Sequence, residues 1–142
     1  MIGDIIQGIV DKLAEDFPTV IIYTEKVPQN FAEPSFRVKR LQVGKTTGLG
    51  TRRWIEIPFD ILYFPESADE PEAEWNGVFE KLFNKLEWIN AGGDTMRGEN
   101  MSAEFDAEQA VGHFRVTFGA FLLDVYNPGD TMETLYQNEE EQ

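Results

Sequence analysis

The chain has 142 residues, with 12 Lys and Arg against 26 Asp and Glu, and a formal net charge of −14. Its length and its hydrophobic content of 42% suit a single core, and its apolar runs are far shorter than the roughly 20 residues that span a bilayer. The absence of cysteine excludes disulfides and thiolate chemistry, and one histidine leaves little material for a soft-metal site. The acidic total also argues against broad wrapping of nucleic acid, which needs many cationic contacts.

Two segments have the spacing of amphipathic helices. In residues 2–13 apolar side chains recur at i, i+3, i+4 and i+7, and Pro18 is predicted to end this helix. The second helix is predicted to begin at Ser67, which forms a capping-box pattern with Glu70 and is followed by Pro71 in the first turn. Its apolar stripe covers residues 75–86, so one face of each helix must be buried.

Elsewhere the apolar period changes to two, which indicates strands. The predicted strands are residues 20–24, 35–43, 53–64, 96–105 and 111–125. In the last of these, Phe114 and Val116 alternate with His113 and Arg115, which predicts one buried and one polar face. The order α-β-β-β-α-β-β predicts an α+β fold in which two helices pack on one face of a mainly antiparallel sheet.

Residues 37–53 form a basic island in this acidic chain. The island contains six of the 12 Lys and Arg residues and no acid, so removing its +6 from −14 leaves −20 on the other residues. Its cations are Arg37, Lys39, Arg40, Lys45, Arg52 and Arg53. Glycines at 44, 48 and 50 predict the tip of a β-hairpin that projects from a single domain of residues 1–126. The clustering favours docking on an acidic protein surface, and the alternative is a solvated hairpin that balances acids of its own subunit.

Residues 127–142 form an acidic C-terminal tail without any basic residue. Its sizeable apolar side chains are Met132, Leu135 and Tyr136, whose spacing of three and four would place them on one face of a helical turn. Because the tail has too little apolar surface to order itself, we expect this face to lie against a neighbouring protein.

The motifs that suggest catalysis have simpler explanations. Gly44-Lys45-Thr46 resembles the end of a phosphate-binding loop, but Lys39 stands where that loop needs its first glycine. His113 has neither a nucleophile nor an orienting acid near it in a recognisable pattern, which favours a structural or interface role. The sequence therefore predicts no catalytic residue, no metal site and no cofactor.

Three segments together resemble the tail terminator proteins of tailed bacteriophages, particularly those of phages and prophages of Gram-positive bacteria. They are IYTEKVPQNFAEPSF at 22–36, FDILYFP at 59–65 and MRGENM at 96–101. The similarity extends from the opening helix to Val125, and the acidic tail lies outside it.

The resemblance implies a subunit of a homo-oligomeric ring, typically a hexamer, on the head-proximal end of the tail tube. Such a ring stops tube growth, contacts the tail tube protein and presents a surface to a head-completion or connector protein. DNA would pass through it without specific binding, and the protein would be found in the neck of the virion and, during assembly, in the host cytoplasm. The family has no known catalytic residues.

The residues themselves leave two other functions open. A pI near 4.3 and the carboxylate-rich C-terminus are compatible with a small acidic binding module or inhibitor of a basic partner protein. An enzyme is the third hypothesis.

Overall fold

The computed structural model describes residues 1–47 and 52–123. In chain order, the elements in this part are α1 (Ile2–Asp16), β1 (Ile21–Tyr23), β2 (Ser35–Arg40), β3 (Gly44–Thr47), β4 (Arg52–Phe64), α2 (Pro71–Lys85), β5 (Trp88–Ala91), β6 (Asp94–Asp106) and β7 (Val111–Leu123). The strand order in the sheet is β1-β2-β4-β7-β6-β5, and β3 pairs with β4 outside this path. β1 and β2 are parallel, whereas the β2–β4, β5–β6 and β6–β7 pairs are antiparallel. The predicted α+β fold with a mainly antiparallel sheet is confirmed.

The chain divides into two compact units. The larger unit comprises Met1–Val43 and Glu56–Gly119 and includes both helices. The smaller unit comprises Gly44–Ile55 and Ala120–Gln142, and its described part consists of β3, the first residues of β4 and the last residues of β7. The side-chain contacts described below all lie within the larger unit.

The helix α1 buries one apolar stripe. Ile5, Ile9 and Leu13 are spaced four residues apart and are at most 1% exposed, as expected for side chains on one helical face. The helix ends at Asp16, where the N–H of Phe17 donates to the carbonyl of Leu13 at 2.8 Å. Pro follows at position 18, and a residue before proline disfavours the helical conformation. The predicted end of this helix is therefore confirmed.

The helix α2 begins later than predicted. It starts at Pro71, a position where the missing N–H of proline costs no helical hydrogen bond. Ser67 Oγ does accept a hydrogen bond from the N–H of Glu70, at 3.0 Å, but both residues precede the helix. The predicted capping box at Ser67 is thus wrong as a helix start, and the Ser67–Glu70 bond belongs to the loop.

Both helices pack on the same face of the sheet, as predicted. The ring of Phe17, at the end of α1, lies 5.2 Å from that of Phe36 on β2. Phe36 contacts Tyr63 on β4, with ring centroids 5.0 Å apart, and Tyr63 stacks on Trp75 of α2 at 5.9 Å. Further along α2, Phe83 meets Phe114 of β7 at 5.2 Å. This continuous series of aromatic contacts joins both helices to the core face.

The strand predictions need three corrections. The strand predicted at 35–43 ends at Arg40, and the predicted hairpin tip contains a short strand, β3, that pairs with β4. The strand β5 was not predicted, so the described element order is α-β-β-β-β-α-β-β-β. The predicted faces of the last strand are confirmed, since Phe114 and Val116 are at most 1% exposed while Arg115 is exposed.

Candidate interaction surface

The sheet face opposite the helices carries a row of charged side chains. Lys39 on β2 is opposite Asp60 on β4, and His113 on β7 is opposite Glu104 on β6. The middle of the row is joined by a hydrogen bond of 2.9 Å between His113 Nδ1 and Asp60 Oδ2. Because β2, β4, β7 and β6 are consecutive in the sheet, the four residues cross it in a line of alternating potential charge. We call this sheet surface the outer face.

The Asp60–His113 pair is the least exposed ion pair among the described residues. The Asp60 side chain is 9% exposed and that of His113 is 20% exposed. An aspartate in this position orients an imidazole, which is one half of a catalytic arrangement. Among the described residues, however, no hydroxyl forms a hydrogen bond with the other ring nitrogen of His113. The structure thus supplies an orienting acid that the sequence analysis did not find, and the structural or interface role of His113 stays a prediction.

Sequence reasoning missed Asp60 as the partner of His113. The two residues are 53 positions apart, and β4 and β7 are neighbours only through the sheet order. The single available signal was a charged residue between Phe59 and Ile61, both of which are fully buried.

The described cations of the basic island occupy the end of β2. Arg37 is half-buried, and its Nε forms no hydrogen bond within the described part of the chain. Lys39 and Arg40 are exposed and form no ion pair with another described residue. Arg40 Nη1 instead donates to the carbonyl of Leu41 at 3.0 Å. Two exposed cations, neither of them paired with another described residue, thus follow each other in sequence at this strand end.

The remaining predicted interface residues lie partly or wholly beyond what the structure describes. The backbone of Lys45 belongs to β3, and those of Arg52 and Arg53 belong to β4. Their side chains are outside the described part of the structure, as are Met132, Leu135 and Tyr136 in full. Their interface role stays a prediction.

The opposite edge of the sheet presents an aromatic residue that the sequence analysis did not select. Trp88 on β5 is 50% exposed, and the guanidinium of Arg97, its cross-strand partner on β6, lies 5.6 Å from the centroid of the indole. Glu87 Oε2 holds the same guanidinium through Arg97 Nη2 at 3.4 Å. The alternation of Trp88-Ile-Asn-Ala before two glycines was the available signal for this strand.

The described residues give no support to metal or phosphate-loop chemistry. Within 1–47 and 52–123, no group of three or more His, Asp or Glu is placed to hold a metal ion. Gly44–Thr47 is a strand rather than the strand-to-helix turn of a phosphate-binding loop. No helix in these same residues is long and apolar enough to cross a membrane.

Comparison with known proteins identifies a family to which the chain is similar. No curated protein matches the chain. The model of a family described as "Phage tail terminator protein" matches residues 4–130, which include every described helix and strand apart from the first two residues of α1. The chain therefore belongs to the phage tail terminator proteins, a family of structural components of the bacteriophage tail.

Proposed function

We propose that the chain is the subunit of a hexameric ring, and that this ring caps the head-proximal end of the tail tube. In this role the ring stops tube polymerisation and offers its other side to a head-completion or connector protein. The protein would be assembled in the host cytoplasm and would remain in the neck of the virion. The observation that carries the proposal is the family match over residues 4–130.

The charge distribution supports a ring. A closed head-to-tail ring needs two different, complementary patches on each subunit. The basic island carries +6, while the rest of the chain carries −20. Lys39 and Arg40 are exposed and form no ion pair with another described residue, so part of that positive charge is available to a partner.

The same distribution fits the passage of DNA through the ring. A continuous cationic lining would retain the strand, because each phosphate contact adds to its affinity. We therefore propose that most cations of the basic island face protein rather than the channel. The DNA then moves through without specific binding.

The direct test combines mass measurement with a tube-length assay. The purified chain is measured alone and with tail tube protein, and tube lengths are then compared with and without it. The proposal expects a ring and tubes of limited length that carry the protein at one end. A strict monomer that leaves tube length unchanged contradicts the proposal. If that monomer captures basic proteins, it is instead the acidic binding module.

Charge reversal tests the part played by the basic island. Arg52→Glu together with Arg53→Glu should weaken assembly and leave the monomer folded, since charges at an interface act mainly on encounter and register. The matched control is Lys26→Glu, which reverses an exposed cation outside the basic island. It is compared with the single variant Arg52→Glu, so that each chain carries one charge reversal. Equal assembly of all variants, with unchanged circular dichroism, would refute this role.

The acidic tail is proposed as a second contact. Met132, Leu135 and Tyr136 supply its apolar anchors, and the family match ends just before them, at residue 130. Deleting residues 127–142 should leave the monomer melting temperature unchanged and weaken the ring or its attachment to the tube. Hydrogen exchange should show greater protection of the tail in the assembly than in the monomer, and equal protection in both would count against this contact.

A further inference from the structure

Trp88 and Arg97 form a pre-arranged pair on the β5–β6 hairpin. The indole of Trp88 is half exposed, although it is the largest apolar side chain on this edge of the sheet. Arg97 lies over the ring and also pairs with Glu87 Oε2 at 3.4 Å, so the guanidinium and the indole are already in contact in the single subunit. Groups that are fixed before binding lose less conformational freedom when a partner arrives.

An exposed aromatic residue alone means little, because single apolar side chains are common on protein surfaces. Trp and Arg together, however, are the residue types that dominate the energy of protein interfaces. Trp88 remains 50% exposed despite the cation–π contact, so part of the indole is available to a partner. The pair is therefore suited to the centre of an interface.

The surroundings of Trp88 are acidic. Residues 87–104 contain Glu87, Asp94, Glu99 and Glu104 against one cation, Arg97, which gives a formal charge of −3. Asp94 and Glu99 are exposed and form no ion pair with another described residue. The hairpin thus offers negative charge that no described residue neutralises, from Glu99 on the same strand face as Arg97 and from Asp94 at the turn, which favours a cationic partner.

The chain itself contains a matching pair of cations on β2, towards the other edge of the sheet. Lys39 and Arg40 at the end of β2 are exposed and unpaired within the described residues. From β2 to β5 the sheet order counts four strand spacings, or about 19 Å along the sheet at about 4.8 Å each. Exposed charges at this distance are screened in solution, so these two patches do not neutralise each other within one subunit.

We infer that the Trp88–Arg97 surface binds a second copy of this chain, and that it receives the β2 end that carries Lys39 and Arg40. The inference rests on the proposed ring and specifies its subunit interface. The two patches differ and lie on separate strands, as head-to-tail contact requires. Trp88 lies at the centre of the contact, and the charges around it set the register between neighbours.

A charge exchange between two variants provides the sharpest test. The first variant carries Lys39→Glu and Arg40→Glu, and the second carries Asp94→Lys and Glu99→Lys. Each should fail to form rings alone, because both of its facing patches then have the same sign. Mixed in equal amounts they should form alternating rings, and a chain that carries all four changes should also assemble. Sedimentation velocity, with tail tube protein added if the wild-type chain needs it, measures all four samples.

Replacement of Trp88 tests the aromatic contact. Trp88→Ala should raise the concentration needed for assembly by about tenfold or more, as removal of an interface hot spot does. Ile21→Ala is the matched control, because Ile21 is 46% exposed on β1, at the opposite edge of the sheet. Both monomers should keep their melting temperatures. Assembly of the wild-type chain should also shift its tryptophan emission to shorter wavelength, a shift that the Trp88→Ala chain lacks.

The outcomes separate this inference from the proposed function. Rings that form and limit tube length equally well in Trp88→Ala and in both charge variants overturn the inference and leave the proposed function intact. Charge variants that fail alone and also fail when mixed overturn the pairing of these two patches. A wild-type chain that forms no ring, with or without tube protein, overturns both.

Discussion

The Tyr63 hydroxyl donates a 2.5 Å hydrogen bond to Glu74 Oε2, which joins the end of β4 to the first turns of α2. The same carboxylate accepts hydrogen bonds from the backbone N–H groups of Glu66 and Ser67, both at 2.9 Å. Burial, followed by the bond to Glu74, raises the pKa of Tyr63 well above its usual range. Burial alone would raise the pKa of Glu74, but its hydrogen bonds from Tyr63, Glu66 and Ser67 outweigh burial and lower that pKa. The ionised side chain of Glu74 therefore connects the end of β4, the loop at Glu66 and Ser67, and the helix α2.

Glu74→Gln should destabilise the folded chain. The amide keeps one acceptor oxygen, so at least one of the three donors loses its partner, and a hydrogen bond to a charged group contributes about 1.5–3 kcal/mol. We expect the free energy of unfolding in urea to fall by about 1–3 kcal/mol at neutral pH. Glu72→Gln, on the same helical turn but exposed, is the control and should change it by less than about 0.5 kcal/mol. Equal effects would show that Glu74 does not hold the loop.

The contribution of Glu74 should also depend on pH. Its pKa in the folded chain is lower than the ordinary value of 4.5. A lowered carboxyl pKa stabilises the fold fully above the unfolded value, and this contribution is lost as the pH falls through the folded pKa. The difference in unfolding free energy between the wild-type and Glu74→Gln chains should thus be largest around neutral pH and shrink as the pH falls below 4.5. A difference that grows on acidification would contradict the direction of the pKa shift.

Regular periodicity made the helices and most strands predictable. The stripe of Ile5, Ile9 and Leu13 and the alternation around Phe114 and Val116 repeat over several turns or pairs, and all five side chains are buried. Each of these two patterns repeats often enough for the helical period to be distinguished from the strand period of two. The strand β5 has only four residues, and it follows α2 after a turn of two residues, so its alternation was too short to separate from the helical stripe.

The candidate interaction surface depends on relationships that no local pattern contains. The basic island was visible because its cations are neighbours in sequence. The contacts Asp60–His113 and Trp88–Arg97 depend instead on which strands are adjacent and in what register. The start of α2 was misplaced for a related reason. The carboxylate that binds the loop comes from Glu74, inside the helix, and not from the Ser67–Glu70 pattern.

Leu82→Ala should lower the stability of the subunit itself. Leu82 is fully buried on the core side of α2, and replacing a buried leucine with alanine costs about 2–5 kcal/mol. The adjacent Phe83, which the sequence also placed near the core, is 38% exposed, although its ring touches that of Phe114. Phe83→Ala should therefore cost less than Leu82→Ala in thermal unfolding of the monomer. The opposite order would mean that the buried side of α2 has been assigned incorrectly.

Two glycines in helical positions should respond to alanine with opposite signs. Alanine in a helix interior is favoured over glycine by about 1 kcal/mol, and a Cβ at Gly77 of α2 would meet no atom within 4 Å. At Gly8 of α1, a Cβ would instead clash with the backbone carbonyl oxygen of Asn90 on β5, which cannot move without shifting that strand. Gly77→Ala should thus stabilise the chain by about 1 kcal/mol. Gly8→Ala should destabilise it by about 1–3 kcal/mol, as overpacking does in a close-packed core. Urea unfolding of both variants measures the two effects, and a stabilising Gly8→Ala would show that α1 does not lie directly against β5.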